Sequence, residues 1–277
     1  AALFYRTDYL SEIGYTEEDM QDLTWEEYLS LGEKLKTKGH MLQTYNPNDI
    51  AEFQIMLQSA GKWFTNEKGE ADFIDNAALE ECYSIFKQLN EADYTKVVSD
   101  WTEFAGAINS GEVACVLRGC WMTSTLMAEE SQSGKWALAP IPKMNVEGAT
   151  HYSNQGGSSW FVLNDSANSE IAADFLAKTF GSSTELYNTL LKEKSIIGTF
   201  LPATDVEAYE ETSEFFSNQQ VNKLLGDWMT KIPAVDTGAF SAEAQNSLVS
   251  VTPSILEGED LKENLATAEE QFEQSIQ

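Results

Sequence analysis

The stretch Phe104-Ala105-Gly106-Ala107-Ile108-Asn109-Ser110-Gly111-Glu112-Val113-Ala114-Cys115-Val116-Leu117-Arg118-Gly119-Cys120-Trp121 packs a helix end, a turn, a strand and a new helix start into one short span. Asp100 to Ser110 reads as a short helix that Gly111 stops. Val113 to Leu117 is an almost unbroken apolar run of strand length, the pattern of a strand buried on both faces. Gly119-x-Trp121 then opens a helix from about Cys120 to Glu130, leaving a tryptophan at the end of a strand.

Outward from this unit, helices dominate. Thr24-Trp25-Glu26-Glu27 is a capping box that starts a helix with Tyr28, Leu31 and Leu35 on its apolar face, ended by Gly39. A second helix is expected from about Asn48 to Ala60, and Gly61 to Gly69 reads as a turn or short hairpin that carries Trp63. Asn76 can cap a helix bearing Leu79, Cys82, Tyr83, Phe86 and Leu89. Strands are expected at the apolar start Ala1 to Tyr5, at Trp136–Ala139 and at Ser159–Leu163. Between the last two, the polar stretch Lys143 to Ser158 suits a crossing between lobes. Asn168 to Phe180 is amphipathic, with Ile171, Ala172, Phe175 and Leu176 expected to face inward. Ser183 to Gln277 reads as almost wholly helical, with breaks at Pro202, Pro233 and Gly258.

Composition narrows the function. The 277 residues carry 45 acidic against 17 basic side chains, a formal charge of -28. Phosphate binding needs clustered Lys and Arg, so nucleic acid is disfavoured as a partner, and so is attachment to anionic lipid through a basic patch. No apolar run approaches the roughly 18 residues of a membrane span. The apolar opening is expected of a mature or trimmed chain whose targeting segment lies elsewhere. Cys82, Cys115 and Cys120 form no disulfide framework and no zinc spacing. Buried free thiols are the default reading, with a Cys115–Cys120 bridge left open.

Catalytic signatures do not surface. His40 and His151 are the only histidines and neither belongs to a metal-ligand spacing, so no metal and no cofactor is expected. There is no GxSxG elbow, no P-loop and no GxGxxG, and Gly156-Gly157-Ser158-Ser159 precedes a strand-like run where a phosphate loop would precede a helix. Seven tryptophans do stand out, with Trp63, Trp101, Trp121, Trp160 and Trp228 at turns or element ends. Sugars present flat CH faces ringed by hydroxyls, and their sites combine aromatic platforms with Asp, Asn, Gln or Arg. A core role competes for each Trp taken singly. Trp25 and Trp136 fit core roles.

The sequence Gly111-Glu112-Val113-Ala114-Cys115-Val116-Leu117-Arg118-Gly119-Cys120-Trp121 resembles a signature of the extracellular sugar-binding proteins of ABC importers, the family that includes maltose-binding protein. Cys115 stands for a usual Met and Cys120 for a common Pro, while the Gly-x-Trp spacing is intact. Tyr5-Arg6-Thr7-Asp8-Tyr9-Leu10 with Gly14 and Thr24-Trp25-Glu26-Glu27 is similar to another family segment, with Arg6 where Asn is usual. Lys135 to Pro142, Gly156 to Leu163 with the helix after it, Leu201-Pro202-Ala203 and Ile232-Pro233 match further segments in order, so the resemblance spans the whole chain.

The resemblance implies an α/β, periplasmic-binding-protein-like two-lobe fold (type II), here mostly the helix-rich C-lobe. Residues 1–143 and 183–277 would be C-lobe, and 144–182 a strand-helix piece of the N-lobe. Family members begin with further alternating strands and helices, so the start of the N-lobe is expected to be missing. The implied activity is capture of a carbohydrate, expected to be an oligosaccharide, in the cleft between lobes, and delivery to ABC-transporter permease subunits. A monomeric extracellular or periplasmic lipoprotein is expected, with signal peptide and anchor outside this chain. Trp121, Trp63 and Trp160 are the expected stacking residues. Arg118, Asn154, Ser158 and Asp236 are expected to bond hydroxyls, Gly156 and Gly157 to admit close backbone approach, and Phe240 to line the cleft. Arg118 has a rival role, capping its strand end through an acidic neighbour. Competing classes are a glycosidase or lyase, which needs two paired carboxylates, and a scaffold that has lost its ligand, which would bury Trp121 and Trp63.

Overall fold

The computed structural model describes residues 1–277. It is a helix-rich α/β structure built on a small sheet of three antiparallel strands, with β1 (Ala2–Arg6) between β4 (Cys115–Arg118) and β5 (Trp136–Ala139). Leu3 sits opposite Leu117 on one side and Ala139 on the other. All three strands are fully buried, and their period of two divides the interior. Leu3, Tyr5, Cys115, Leu117, Ala137 and Ala139 face the larger hydrophobic cluster, while Phe4, Val116, Trp136 and Leu138 face a second one. This double burial is the physical reason that Val113 to Leu117 shows no polar alternation.

The larger cluster is closed by helices. Between β1 and β4 the chain runs through α1 (Thr7–Glu12), α2 (Trp25–Lys36), β2 (Gln43–Tyr45), α3 (Ala51–Ser59), α4 (Ala77–Glu91), β3 (Thr95–Val97) and α5 (Trp101–Asn109). Thr24 and Glu27 form the expected capping box at α2. The Asn76 side chain accepts bonds from the Ala78 and Leu79 amides at α4, and Asp100 accepts from the Glu103 amide at α5. The expected hairpin after Gly61 shrinks to a single antiparallel bridge, Thr65 to Ala71. The parallel pair β2 and β3 has no counterpart in the sequence reading: three residues per strand are too few for a period to register.

After β4 come α6 (Met122–Met127), β5, α7 (Ser169–Lys178), α8 (Thr184–Lys194), α9 (Val221–Met229), α10 (Ser241–Leu256) and α11 (Leu261–Ser275). Helices α10 and α11 pack together and place Leu248, Val251, Leu265 and Phe272 in the larger cluster. Three expectations fail here. Ser159–Leu163 forms no strand, because no neighbouring strand is there to pair with it. The apolar face of α7 does not point inward: none of its residues is buried, and Ile171 and Phe175 are open to solvent. The segment 195–220 is mostly turns and short 3-10 pieces, not helix. All three cysteines are free thiols, with Cys82 and Cys115 buried.

Candidate functional site

The capped start of α5 fixes one aromatic platform. With Asp100 as N-cap, Trp101 is the first helical residue and projects from the helix end, 51 % exposed. Its ring stacks on Phe104, one turn further on, at 5.2 Å between centroids and 29° between planes. The end of β4 brings up a second platform. Trp121, 36 % exposed, lies 5.7 Å from Trp101 with the planes inclined by 52°.

Gly119 makes this approach sterically feasible. A Cβ there would lie 2.5 Å from the Trp121 Nε1 and 2.7 Å from the Gln155 carbonyl oxygen. The Gly119 amide donates to the Gln155 side-chain carbonyl at 2.8 Å, so the 153–157 loop is held against the indole. Asn154 turns its Nδ2 onto the Gly156 carbonyl at 2.8 Å. Gly156 and Gly157 have φ of +87° and +98°, a conformation open to glycine and strained for other residues.

Beneath this face lies Arg118, only 5 % exposed. Its Nη1 pairs with Glu52 Oε1 at 2.5 Å, its Nη2 lies 3.6 Å from Asp49 Oδ2, and it donates to the Leu117 carbonyl. The guanidinium sits 4.9 Å from the centre of the Phe104 ring. Burial pushes the Glu52 carboxyl above the usual carboxylate range, against the pull of Arg118. The guanidinium thus engages acidic neighbours, the rival role foreseen for it, and faces the interior.

A second group gathers at the start of α10. Trp63 is partly buried, donates from Nε1 to Ser241 Oγ at 2.9 Å and packs on Phe64. Asp236 Oδ1 accepts from the Gly238 amide at 3.0 Å, and Phe240 is exposed. The chain from Thr150 to Gln155 joins the two groups. Thr150 donates to the Ser59 carbonyl at 2.8 Å at one end, and Lys231 lies over the Tyr152 ring at 4.8 Å in the middle.

Trp121, Asn154, Gly156 and Gly157 are therefore brought together, with Arg118 behind them, and Trp63, Asp236 and Phe240 form the neighbouring group. Trp160 is apart from both: it stacks on Phe180 at 5.2 Å and is 65 % exposed. Ser158 is exposed and makes no side-chain hydrogen bond. Trp101, which the sequence marks only as one of the tryptophans at element ends, joins Trp121 on this face. As the first residue after the Asp100 cap, Trp101 has no preceding helical turn to pack against. A cavity of about 310 Å³ beside Tyr45 and Pro253 and another of about 250 Å³ beside Asn76 and Val146 include none of the aromatic candidates. The aromatic face is open to solvent at Trp101 and Trp121.

His40 stacks on Tyr9 at 3.7 Å, and His151 bridges the Ile141 carbonyl and the Asp22 carboxylate. No three His, Cys, Asp or Glu side chains converge as a metal site would require.

Residues 1–223 match the family described as bacterial extracellular solute-binding protein. A lactose-binding protein of Rhizobium radiobacter is 39 % identical over 276 residues, which cover 99 % of this chain and 65 % of that protein. An arabinooligosaccharide-binding protein of Bacillus subtilis (strain 168) is 25 % identical over 185 residues, 65 % of this chain and 42 % of that protein. The chain thus spans under two thirds of the length of these relatives. Among solved structures, the sugar-binding protein MalE of Xanthomonas citri superposes with a TM-score of 0.78 at 15 % identity, over 99 % of this chain and 69 % of that one. An ABC-transporter-associated binding protein of B. animalis subsp. lactis Bl-04, in complex with β-1,6-galactobiose, gives 0.76 at 19 % identity, over 99 % and 70 %. At these identities the two structures speak for the fold alone.

Proposed function

The chain belongs to the bacterial extracellular solute-binding proteins, and on that premise we propose that it forms most of a receptor that captures a carbohydrate and hands it to an ABC importer without transforming it. The observation that carries this reading is the pair of solvent-facing indoles, Trp101 and Trp121, set 5.7 Å apart beside the Gly156-Gly157 loop. Large apolar rings left open at element ends cost solvation unless a ligand covers them, and the flat CH faces of sugars are suited to do so. The likeness to a lactose-binding protein supports a lactose-like disaccharide as the first ligand to try.

In this reading Trp121 stacks on the sugar, Asn154, Ser158 and the backbone at Gly156 and Gly157 meet its hydroxyls, and Trp63, Asp236 and Phe240 line the adjoining wall. Trp160 stands on the piece that belongs to the opposite lobe. Residues 1–143 and 183–277 form one lobe, and 144–182 joins the other. The unburied apolar face of α7 supports that division, because such a face needs a partner the sheet of this lobe does not supply. Closure of the lobes then buries the sugar from both sides, and permease subunits recognise the closed form. A monomeric receptor outside the cytoplasmic membrane, held by a lipid anchor that lies outside these residues, completes the picture.

The test is isothermal titration and thermal shift of the full-length protein against lactose, galactose, maltose and arabino-oligosaccharides. Saturable binding of one sugar class, with a melting temperature that climbs with concentration and no sugar consumed, is the expected result. Turnover of a bound sugar would make the protein an enzyme, and no response across the panel would sink the carbohydrate assignment.

A further inference from the structure

The pyrrole edge of the Trp121 indole lies against two glycines. A Cβ at Gly119 would fall 2.5 Å from Nε1 and 2.8 Å from Cδ1, and a Cβ at Gly156 would fall 3.8 Å from the same Nε1. The backbone here is already fixed, since the Met122 amide donates to the Gly119 carbonyl at 3.0 Å in the turn that opens α6. What is left free is the torsion of the side chain, and the two glycines limit it. Gly119 follows β4, whereas Gly156 lies on the chain that returns after β5. One hydrogen bond ties the two segments beside the indole: the Gly119 amide donates to the side-chain carbonyl of Gln155 at 2.8 Å. Upstream of Gln155 the returning chain is pinned, by the Thr150 amide on the Ser59 carbonyl at 2.8 Å and the Ile141 amide on the His151 carbonyl at 3.2 Å. Ser153 is buried as well. Downstream, every residue from Gly156 to Phe161 is exposed. Gln155 thus stands where a fixed chain becomes an open one, next to the indole.

We propose that Gln155 is a positioning residue for the Trp121 platform: by accepting from the Gly119 amide it holds Gly156 against the indole, and so sets the orientation of the ring on which a sugar stacks. The bond asks only for an acceptor, which a carboxylate supplies as well as an amide does and a thioether supplies weakly. The inference rests on the carbohydrate reading above and adds a residue that acts through Trp121.

The experiment titrates lactose into the full-length protein as wild type, Gln155→Met and Gln155→Glu, and into Trp121→Phe with and without Gln155→Met. Fluorine spectra of the same proteins labelled with 5-fluorotryptophan are recorded without sugar, the Trp121 resonance being the one that Trp121→Phe removes. Gln155→Met is expected to weaken lactose roughly fivefold, the scale of one hydrogen bond, and to shift or broaden that resonance. Gln155→Glu should stay within about twofold of wild type and keep the resonance, because the acceptor is retained. In Trp121→Phe, which lacks the pyrrole edge, Gln155→Met should cost less than about twofold, since the two sites act as one unit. Equal losses in Gln155→Met and Gln155→Glu would mean that the amide nitrogen touches the sugar itself. A full loss in the Trp121→Phe background, or an unmoved resonance in Gln155→Met, would mean that Gln155 does not set the indole. Any of the three overturns the positioning role while leaving a sugar receptor standing. If the wild type binds no sugar, the carbohydrate reading falls, and the fluorine spectra alone still decide whether Gln155 orients Trp121.

Discussion

At the scale of single residues, the Arg118–Glu52 pair is the feature with the largest expected consequence. Both groups are buried, so removing one leaves the other charged and uncompensated, which costs about 3–5 kcal/mol in comparable pairs. Arg118→Met is therefore expected to lower the unfolding free energy by about 3 kcal/mol or more, and adding Glu52→Leu should restore most of it. Urea titrations of the two variants check this. If the double variant is no more stable than the single one, the pair is not the coupled unit its geometry describes. Arg118 also marks a limit of sequence reading. The Gly-x-Trp spacing singles out Trp121, but the direction taken by the nearby Arg118 side chain depends on Glu52 and Asp49, far back in the chain. Trp101 stands out in the sequence as a tryptophan at an element end, but its pairing with Trp121 does not, because the two meet only through the fold.

At the scale of elements, helices with their own local signals were legible. Asn76, Asp100 and Thr24 each cap the helix that their side chains announce, because a cap is a contact within a few residues. The capping box at α2 also has a pH signature. The Glu27 carboxylate accepts from the Thr24 amide at 2.8 Å and from its hydroxyl, and these bonds hold its pKa below the ordinary glutamate value. A carboxyl depressed in the folded state stabilises the fold above its unfolded pKa and loses that contribution as pH falls through the folded one. The destabilisation caused by Glu27→Gln should accordingly be measurable at neutral pH and shrink as the pH is lowered through the acidic range. Denaturation series at several pH values read this directly, and a penalty that is the same at every pH would show that the charge takes no part in the cap. The strand expected at Ser159–Leu163 marks the opposite case. Its pattern reports an apolar face, whereas a strand exists only where another strand lends its backbone groups.

At the scale of the whole molecule, that unpaired segment and α7 are one problem. Trp160, Phe161, Leu163, Ile171 and Phe175 are all exposed, within a stretch whose composition is that of a buried element. Monomeric proteins rarely leave so many large apolar side chains of one short span open to water. The lactose-binding relative is matched over only 65 % of its length, and the division of lobes proposed above assigns the cover for this strip to residues outside 1–277. The consequence is a substitution whose effect depends on how much of the protein is present. In residues 1–277 alone, Phe175→Asp replaces an exposed ring by a charge in water and should change stability by less than about 0.5 kcal/mol. In a longer protein that supplies the second lobe, the same aspartate would be driven into an apolar contact without a partner, at a cost of several kcal/mol, on the order of 3. The melting temperatures of the four proteins decide the matter. An equal, small effect in both backgrounds would mean that α7 stays bare, and the apolar strip would then have to meet some partner other than the rest of its own chain.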